Sequence, residues 1–170
     1  MNLFVIYIGG SHEQAFIELH DMRFVIANTI EETYPELKRT WWGIPQSLHL
    51  DSWGILKFVD GYRILIKNEP PVNTDEKLFF VNLGGYDHQQ FTELHKNIFV
   101  VAENEAAAKI KATQQIQDWV LPHRDYLYEV ENIVDITQKT VTNNFFIHLE
   151  KTDQREPFIF TSNYVPIGKM

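Results

Sequence analysis

The first predicted element of the chain is a short apolar run that ends at a pair of glycines. Leu3–Ile8 is rich in β-branched and aromatic residues, which is typical of a buried strand. Gly9-Gly10 follows directly, and glycine pairs at the end of such a run predict a turn. We therefore predict a strand that ends before Gly9.

The next segment alternates between apolar and polar positions. Phe16–His20 places its apolar and polar side chains on opposite faces of a strand, and Arg23–Asn28 is a further β-like run. We predict two strands joined by a tight hairpin at Asp21-Met22. Residues 12–20 also fit a short helix that Ser11 would cap. The strand is favoured because the corresponding position of the second copy, described next, is not a capping residue.

This pattern returns 75 residues later. Residues 78–102 align without a gap on residues 3–27, and 12 of the 25 aligned positions are identical. Lys96-Asn97 stands where the first copy has its predicted hairpin turn. Two copies of one unit predict an internal duplication with pseudo-twofold symmetry, so any shared site should occur twice or lie on the symmetry axis.

A helix is predicted after each copy of this segment. Thr29 and Asn104 are equivalent in the alignment, and both are residues that favour helix N-termini. Glu32 would complete a capping box with Thr29. The alanine-rich stretch Glu105–Asp118 predicts a regular helix, whereas Pro35 predicts either a kink or a helix that starts only there.

Hairpins dominate the remainder of the chain. Asp60-Gly61 predicts a tight turn, and Thr137–Asn143 predicts a longer connection at the matching place in the second copy. The predicted strands are Trp53–Val59, Tyr62–Lys67, Tyr126–Ile136, Asn144–Glu150 and Pro157–Tyr164. Each unit then has the order βββαββ, and the fold class is α+β, with mainly antiparallel sheet and one helix per repeat.

These elements also predict the domain organisation. Unit one would comprise residues 1–67 and unit two residues 77–150, with a proline-containing linker at residues 68–76. A strand extension, residues 151–170, has no counterpart in the repeat. The two units would form one compact domain or two tightly packed lobes.

Composition narrows the function classes. The 170 residues are 44% hydrophobic and 14% aromatic, which is ample for a core, and the net charge of −8 disfavours binding to nucleic acid or anionic lipid. The chain has no cysteine, so disulfides and thiolate chemistry are excluded. Nothing resembles a signal peptide, and Leu3–Ile8 is too short to span a membrane, so we expect a cytoplasmic protein.

Histidines and carboxylates form the sharpest candidate site. Two imidazoles and two carboxylates suit a divalent ion such as Zn²⁺, Mn²⁺ or Fe²⁺. The candidate ligands are Glu18, His20, His49 and Asp51, with repeat-two equivalents Glu93, His95, His123 and Asp125. The alternative is that these histidines only form hydrogen bonds at strand ends.

Two weaker candidate sites involve glycines and aromatic residues. Gly9-Gly10 and Gly84-Gly85 could expose backbone N–H groups to a phosphate, although glycine pairs more often supply a turn. Trp41-Trp42 could present one exposed ring to a ligand or partner. The residues of this predicted surface are Tyr34, Lys38, Arg39, Trp41 and Trp42. The alternative is that both tryptophans pack under the first helix.

Several segments resemble a small bacterial family known only as domain of unknown function 1543. They are IYIGG, IELHDMRFVIA, IEETYPELKRTWWG and LHLDSWGILKFVDGYRI, which together cover most of residues 3–66. The resemblance returns more weakly over residues 78–136, where the TYP and WWG elements are absent. It implies a grouping, and it implies no activity, cofactor or catalytic residue.

The sequence favours a non-catalytic module that binds a small molecule or a protein. The alternative from another class is a metal-dependent enzyme of hydrolase type, in which imidazoles hold the metal and a carboxylate acts as general base. A third interpretation is a structural protein that assembles with itself into a homo-oligomer.

Overall fold

The computed structural model of this chain describes residues 1–72, 75–86, 89–115, 129–140 and 144–168. The chain divides into two compact units. Unit one combines Met1–Glu69 with Thr142–Met170, and unit two is Pro70–Val141. All strand pairings in the described ranges are antiparallel, and the helices are few and short, so the predicted α+β class is confirmed.

Unit one contains seven of the described strands and one α-helix. They are β1 (Asn2–Gly10), β2 (Leu19–Ala27), α1 (Tyr34–Thr40), β3 (His49–Ile55), β4 (Phe58–Val59), β5 (Tyr62–Lys67), β9 (Phe146–Lys151) and β10 (Phe160–Pro166). The elements of unit two are β6 (Lys77–Gly85), β7 (Leu94–Ala102), α2 (Glu105–Gln114), β8 (Glu129–Asp135) and α3 (Ile136–Lys139).

Strand β1 lies at the centre of the main sheet of unit one, whose order is β10-β3-β1-β2. One face of this sheet packs against α1, because alternate residues of β1 are apolar and point to that side. The core there comprises Phe4, Ile6, Ile8, Ala27, Leu37, Trp41, Leu48, Leu50 and Ile167. A second, three-stranded sheet has the order β4-β5-β9. Since Tyr7 and Gly9 alternate with these core residues, they belong to the opposite face of β1.

The predicted strand over Phe16–His20 and the hairpin at Asp21-Met22 are wrong. Strand β2 pairs with β1 along all of its residues, from Gly10↔Leu19 to Asn2↔Ala27. A continuous ladder places residues 21 and 22 inside the strand and leaves residues 11–18 as the connecting loop. The alternative helix over residues 12–20 is wrong as well. Strand β7 likewise runs through Lys96-Asn97, so neither unit has the order βββαββ.

The turn expected at Gly9-Gly10 is also absent, because β1 continues through both glycines. The predicted hairpin at Asp60-Gly61 is confirmed. Asp60 and Gly61 have φ angles of 51° and 81°, and Val59 pairs with Tyr62 across them. Two successive positive φ angles are the backbone signature of a tight type I′ turn.

The helix of unit two begins as predicted. The Oδ1 atom of Asn104 accepts a hydrogen bond from the backbone N–H of Ala107 at 3.0 Å, which satisfies one of the free donors of the first turn. The described helix ends at Gln114, and residues 116–118 of the predicted helix lie outside the described ranges.

The helix of unit one begins differently. A 3₁₀ turn, Glu31–Thr33, precedes α1, so Pro35 lies in the first turn of the α-helix rather than in its interior. The predicted cap at Thr29 is wrong, since Ile30 precedes the 3₁₀ turn and makes no side-chain cap. Glu32 instead accepts a hydrogen bond from the backbone N–H of Asn28 at 2.8 Å.

The last part of the chain returns to unit one. Strand β9 pairs with β5 over Tyr62↔Lys151 to Lys67↔Phe146, and β10 pairs with β3. The predicted assignment of residues 144–150 to unit two is therefore wrong. The predicted C-terminal extension is a full edge strand of the unit-one sheet, because β3 offers it an unpaired edge.

Unit two has its own sheet, of order β7-β6-β8, and its own core. Alternate residues of β6 and β7 pack against two alanines of α2. This core comprises Phe79, Val81, Leu83, Ile98, Val100, Ala102, Ala108 and Ala112. No helix within the described ranges reaches the length and hydropathy that crossing a bilayer requires.

Candidate metal centre

Two histidines flank one glycine at the end of the unit-one sheet. Gly9 of β1 pairs with His20 of β2 on one side and with His49 of β3 on the other. Directly paired residues on neighbouring antiparallel strands project their side chains to the same face. The fold therefore brings together two histidines that are 29 positions apart in the sequence (49 − 20).

A β-bulge adds a carboxylate to this pair. Ile8 pairs with Leu50 and Tyr7 pairs with Ser52, so Asp51 is an extra residue that opposes no partner on β1. Bulges re-aim a side chain relative to the regular alternation of a strand. Glu18, in the last part of the loop before β2, supplies the second carboxylate. We call Glu18, His20, His49 and Asp51 the unit-one cluster.

Four distances describe the unit-one cluster. His20 Nε2 lies 3.6 Å from a Glu18 carboxylate oxygen and 3.4 Å from an Asp51 oxygen. His49 Nε2 lies 3.3 Å from the other Glu18 oxygen and 3.5 Å from the other Asp51 oxygen. Four ligand atoms placed about 2.1 Å from a tetrahedral ion would lie about 3.4 Å apart. Each of the four nitrogen–oxygen distances is near that value and longer than a charge-assisted hydrogen bond, and together they involve both oxygens of each carboxylate.

His49 is the buried member of the cluster, with its side chain 1% exposed. Its Nδ1 lies 2.8 Å from the backbone oxygen of Ser47. Because a carbonyl oxygen only accepts, Nδ1 carries the proton, and in the neutral ring Nε2 then presents a lone pair to the cluster. Nε2 of His49 and Oδ2 of Asp51 are both buried and have no hydrogen-bond partner. Such atoms are costly to leave unsatisfied.

Gly9 leaves the room that the cluster needs. A Cβ atom at this position would lie 2.6 Å from His49 Nε2 and 2.9 Å from Asp51 Oδ2. Both contacts are closer than non-bonded atoms approach, so a side chain here would push the ligand atoms apart. This close approach, rather than an unusual φ angle, accounts for glycine at position 9.

Two tyrosines flank the histidines. Tyr7 stacks on His20 with ring centroids 5.1 Å apart and planes 9° apart, and Tyr164 of β10 lies over His49 at 4.4 Å. Burial raises the pKa of Tyr7, and the neighbouring carboxylates of Asp51 and Asp21 raise it further. The Tyr7 hydroxyl therefore stays protonated at neutral pH.

Unit two has the same arrangement of a glycine, a paired histidine and a bulge, with different residues around it. Gly84 pairs with His95, and a bulge between Asn82 and Leu83 makes Glu131 the extra residue of β8. His95 Nε2 lies 3.0 Å from Glu131 and 3.9 Å from Glu93. We call Glu93, His95 and Glu131 the unit-two cluster. A Cβ at Gly84 would lie 2.7 Å from a Glu93 oxygen, as at Gly9 in unit one.

Sequence analysis missed Glu131. The predicted equivalents His123 and Asp125 lie outside the described ranges, and the strand register gives their places to other residues. Glu129 pairs with Gly84 where His49 pairs with Gly9, so the offset in this strand is 80 (129 − 49) rather than 74. Aligning HLDSWGI with EVENIVD would have revealed this, since both segments carry an acidic residue in third position, after an apolar residue.

The other predicted sites do not form as expected. Gly9 pairs on both sides within the sheet, as does Gly84, while Gly10 and Gly85 end the strand ladders. These four glycines therefore lie in extended strands and form no phosphate-binding loop.

The predicted tryptophan surface is divided between core and exterior. Trp41 is 8% exposed and donates its Nε1–H to the backbone oxygen of Ile44, whereas Trp42 is 52% exposed. Tyr34 packs against the core, and burial raises its pKa. Arg39 is paired with Glu36, and Lys38 is exposed on the helix. Only Trp42 presents a substantial aromatic surface here.

Comparison with known proteins gives a family and a structural relative. The family model described as Domain of Unknown Function (DUF1543) matches residues 15–66. The crystal structure of a protein Il1583 from Idiomarina loihiensis is similar, with 31% sequence identity and a TM-score of 0.76. That similarity covers 98% of this chain and 97% of the other. No curated protein matches this chain.

Proposed function

This chain belongs to the family described as Domain of Unknown Function (DUF1543), and we propose that it is a protein that binds a divalent transition-metal ion at the unit-one cluster. The observation that carries the proposal is His49. Its Nε2 atom is buried, has no hydrogen-bond partner, and lies 3.3 Å from a carboxylate oxygen of Glu18 and 3.5 Å from one of Asp51. A bound cation would satisfy this atom and the buried oxygen of Asp51 together.

The ligand set indicates the class of ion. Imidazole nitrogens together with carboxylate oxygens suit Zn²⁺, Mn²⁺ and Fe²⁺. Glu18 and Asp51 would also neutralise the charge of the ion. The hydrogen bond from His49 Nδ1 to Ser47 is the outer contact that usually orients a metal-bound histidine.

Titration with Co²⁺ tests the proposal, because tetrahedral and octahedral Co²⁺ differ strongly in visible absorption. We expect a saturable, intense spectrum at one equivalent, displaced by Zn²⁺. Glu18→Gln should weaken binding at least tenfold. Glu13→Gln is the matched control, since Glu13 is exposed in the same loop but is not part of the cluster. Absence of saturable binding, or equal affinities of the two variants, would refute the proposal.

A metal-dependent hydrolase is the second candidate. The observation that favours it is the group Glu18, His20 and His49, whose ligand atoms all lie within 4.8 Å of one another. Three protein ligands leave a fourth position for water, and Asp51 could then serve as general base. In this case Asp51→Asn should retain Co²⁺ binding while abolishing turnover of nitrophenyl ester or phosphate substrates. If Asp51→Asn loses the metal instead, Asp51 is a ligand.

Self-assembly is favoured by a different observation. Phe16 and Phe91 are equivalent in the alignment, and both are fully exposed, at 107% and 105%. A contact with a second copy of the chain would remove this apolar surface from water. Sedimentation of the wild type and of the Phe16→Ser, Phe91→Ser double variant would show whether they support a homo-oligomer.

Gene duplication accounts best for the two units. The 12 identical positions, the shared strand registers of β1–β2 and β6–β7, and the two bulges with acidic residues support it. On this proposal the unit-one cluster and the unit-two cluster descend from one ancestral site. Pseudo-twofold symmetry and the cytoplasmic location remain predictions, to be tested by crystallography and by fractionation.

A further inference from the structure

A cleft in unit one lies along the half of β3 that follows the metal ligands. Its volume is about 330 Å³, near the lower end of the range for small-molecule sites. The aromatic residues that line it are Phe4, Trp53, Phe58, Phe158 and Phe160. Such a surface offers an apolar, stacking environment for a ligand with one small ring system.

The packing of β10 on β3 builds this cleft. A Cβ atom at Gly54 would lie 2.7 Å from the Phe158 ring, so glycine at this position lets the ring lie directly against the strand. Phe158 and Phe160 have ring centroids 6.0 Å apart with planes 29° apart. Phe160 pairs with Gly54 in the ladder. Phe158 and Phe160, which we call the aromatic wall, are therefore held in place by the sheet and not by a loop alone.

One positive and one negative side chain line the same cleft. Lys57 and Glu156 form no ion pair with each other or with any residue of the described ranges. Glu156 is held in place through hydrogen bonds, since its Oε1 accepts from Gln154 at 2.7 Å and Gln154 in turn accepts from Arg63 at 2.7 Å. Two separated charges of opposite sign beside an aromatic wall complement a ligand that carries both charges.

We propose that this cleft binds a small aromatic zwitterion, a molecule with one ring system, an ammonium group and a carboxylate. The ring would pack against Phe158 and Phe160, the carboxylate would meet Lys57, and the ammonium would meet Glu156. A ligand with no net charge also avoids the general repulsion that a chain of net charge −8 exerts on anions. The proposal is independent of metal binding at the unit-one cluster.

Fluorine NMR of protein that contains 5-fluorotryptophan tests the proposal directly. The chain has four tryptophans, and Trp53→Phe identifies the resonance that belongs to the cleft. L-phenylalanine is the probe, and 3-phenylpropanoate and 2-phenylethylamine are its analogues with a single charge. We expect a saturable shift of the Trp53 resonance with L-phenylalanine, and weaker binding of both analogues.

Charge variants give the decisive comparison. Lys57→Met and Glu156→Gln should each lower the affinity for L-phenylalanine about two- to fivefold, the effect expected from losing an exposed ion pair. Lys57→Met should leave 2-phenylethylamine unchanged, and Glu156→Gln should leave 3-phenylpropanoate unchanged. Lys67→Met is the control, because Lys67 is exposed on β5 and does not line the cleft. The proposal would be overturned if L-phenylalanine caused no saturable shift. It would also be overturned if neither charge variant changed the affinity for L-phenylalanine.

Discussion

The two units share one backbone arrangement around their clusters and differ in the side chains that it carries. In each unit a glycine without room for a Cβ pairs with a histidine, and a bulge on the next strand supplies an acidic residue. They differ on the other side of that glycine, where unit one has His49 and unit two has Glu129. They also differ beside the histidine, where Tyr7 stacks on His20 and unit two has Asn82.

The difference indicates that this backbone arrangement alone is not sufficient for the proposed metal site. In the unit-two cluster, His95 Nε2 lies 3.0 Å from a Glu131 oxygen, within hydrogen-bonding distance. The unit-one cluster contains buried atoms that no protein group satisfies. We therefore assign the proposed strong metal binding to unit one. Three comparisons between the units can break or sharpen that assignment, and a fourth compares how their helices begin.

Filling the space above the glycine should have the largest effect. Gly9→Ala places a methyl group about where it would meet His49 Nε2, at 2.6 Å, so we expect saturable Co²⁺ binding to be lost. Gly84→Ala should leave Co²⁺ binding by unit one intact. Circular dichroism of both variants separates loss of the site from loss of the fold. Equal Co²⁺ binding by a folded Gly9→Ala variant would contradict the assignment.

Removing one histidine from each unit should have the next largest effect. His20→Gln deletes one of the proposed metal ligands, which we expect to weaken Zn²⁺ binding at least about 100-fold, more than the loss of a residue that only orients a ligand. His95→Gln should change the affinity less than about threefold, as expected when no strong site is touched. Competition with a chromophoric chelator measures both affinities. If both substitutions weaken binding equally, the metal is shared or lies elsewhere.

Exchanging the flanking residues between units tests the role of the tyrosine. Tyr7→Asn gives unit one the residue of unit two and removes the stacking on His20. Aromatic stacking is worth about 0.5–1.5 kcal/mol, so Zn²⁺ should bind about two- to tenfold more weakly. Asn82→Tyr is the reciprocal variant and should leave that affinity unchanged. An unaltered affinity in Tyr7→Asn would show that the ring does not orient His20.

The smallest effect concerns the two helix starts. Asn104→Ala removes the cap of α2 and should lower the free energy of unfolding by about 1 kcal/mol. Thr29→Ala should change it by less than about 0.5 kcal/mol, because Thr29 makes no cap. Urea denaturation of both variants measures the difference. If Thr29→Ala lowers the free energy of unfolding by more than Asn104→Ala, the start of the unit-one helix depends on a contact of the Thr29 side chain.

The sequence was sufficient to predict those features that depend on only a few neighbouring residues. The turn at Asp60-Gly61 and the cap at Asn104 were predicted, because turn and cap preferences act over a few residues. The hairpin that we predicted at Asp21-Met22 does not form, since pairing of β2 with the whole of β1 outweighs the turn preference of two residues.

The sequence by itself determined the α+β class, the strands β1 and β2 in outline, and the residues Glu18, His20, His49 and Asp51 as a candidate set. It also showed the similarity of residues 78–102 to residues 3–27. Only the tertiary structure decided that those four meet, because strand register and a one-residue bulge set which side chains share a face. The same register placed Glu131 in the unit-two cluster and brought β9 and β10 back to unit one. Pairings between distant strands depend on the whole sheet, and no short stretch of sequence contains them.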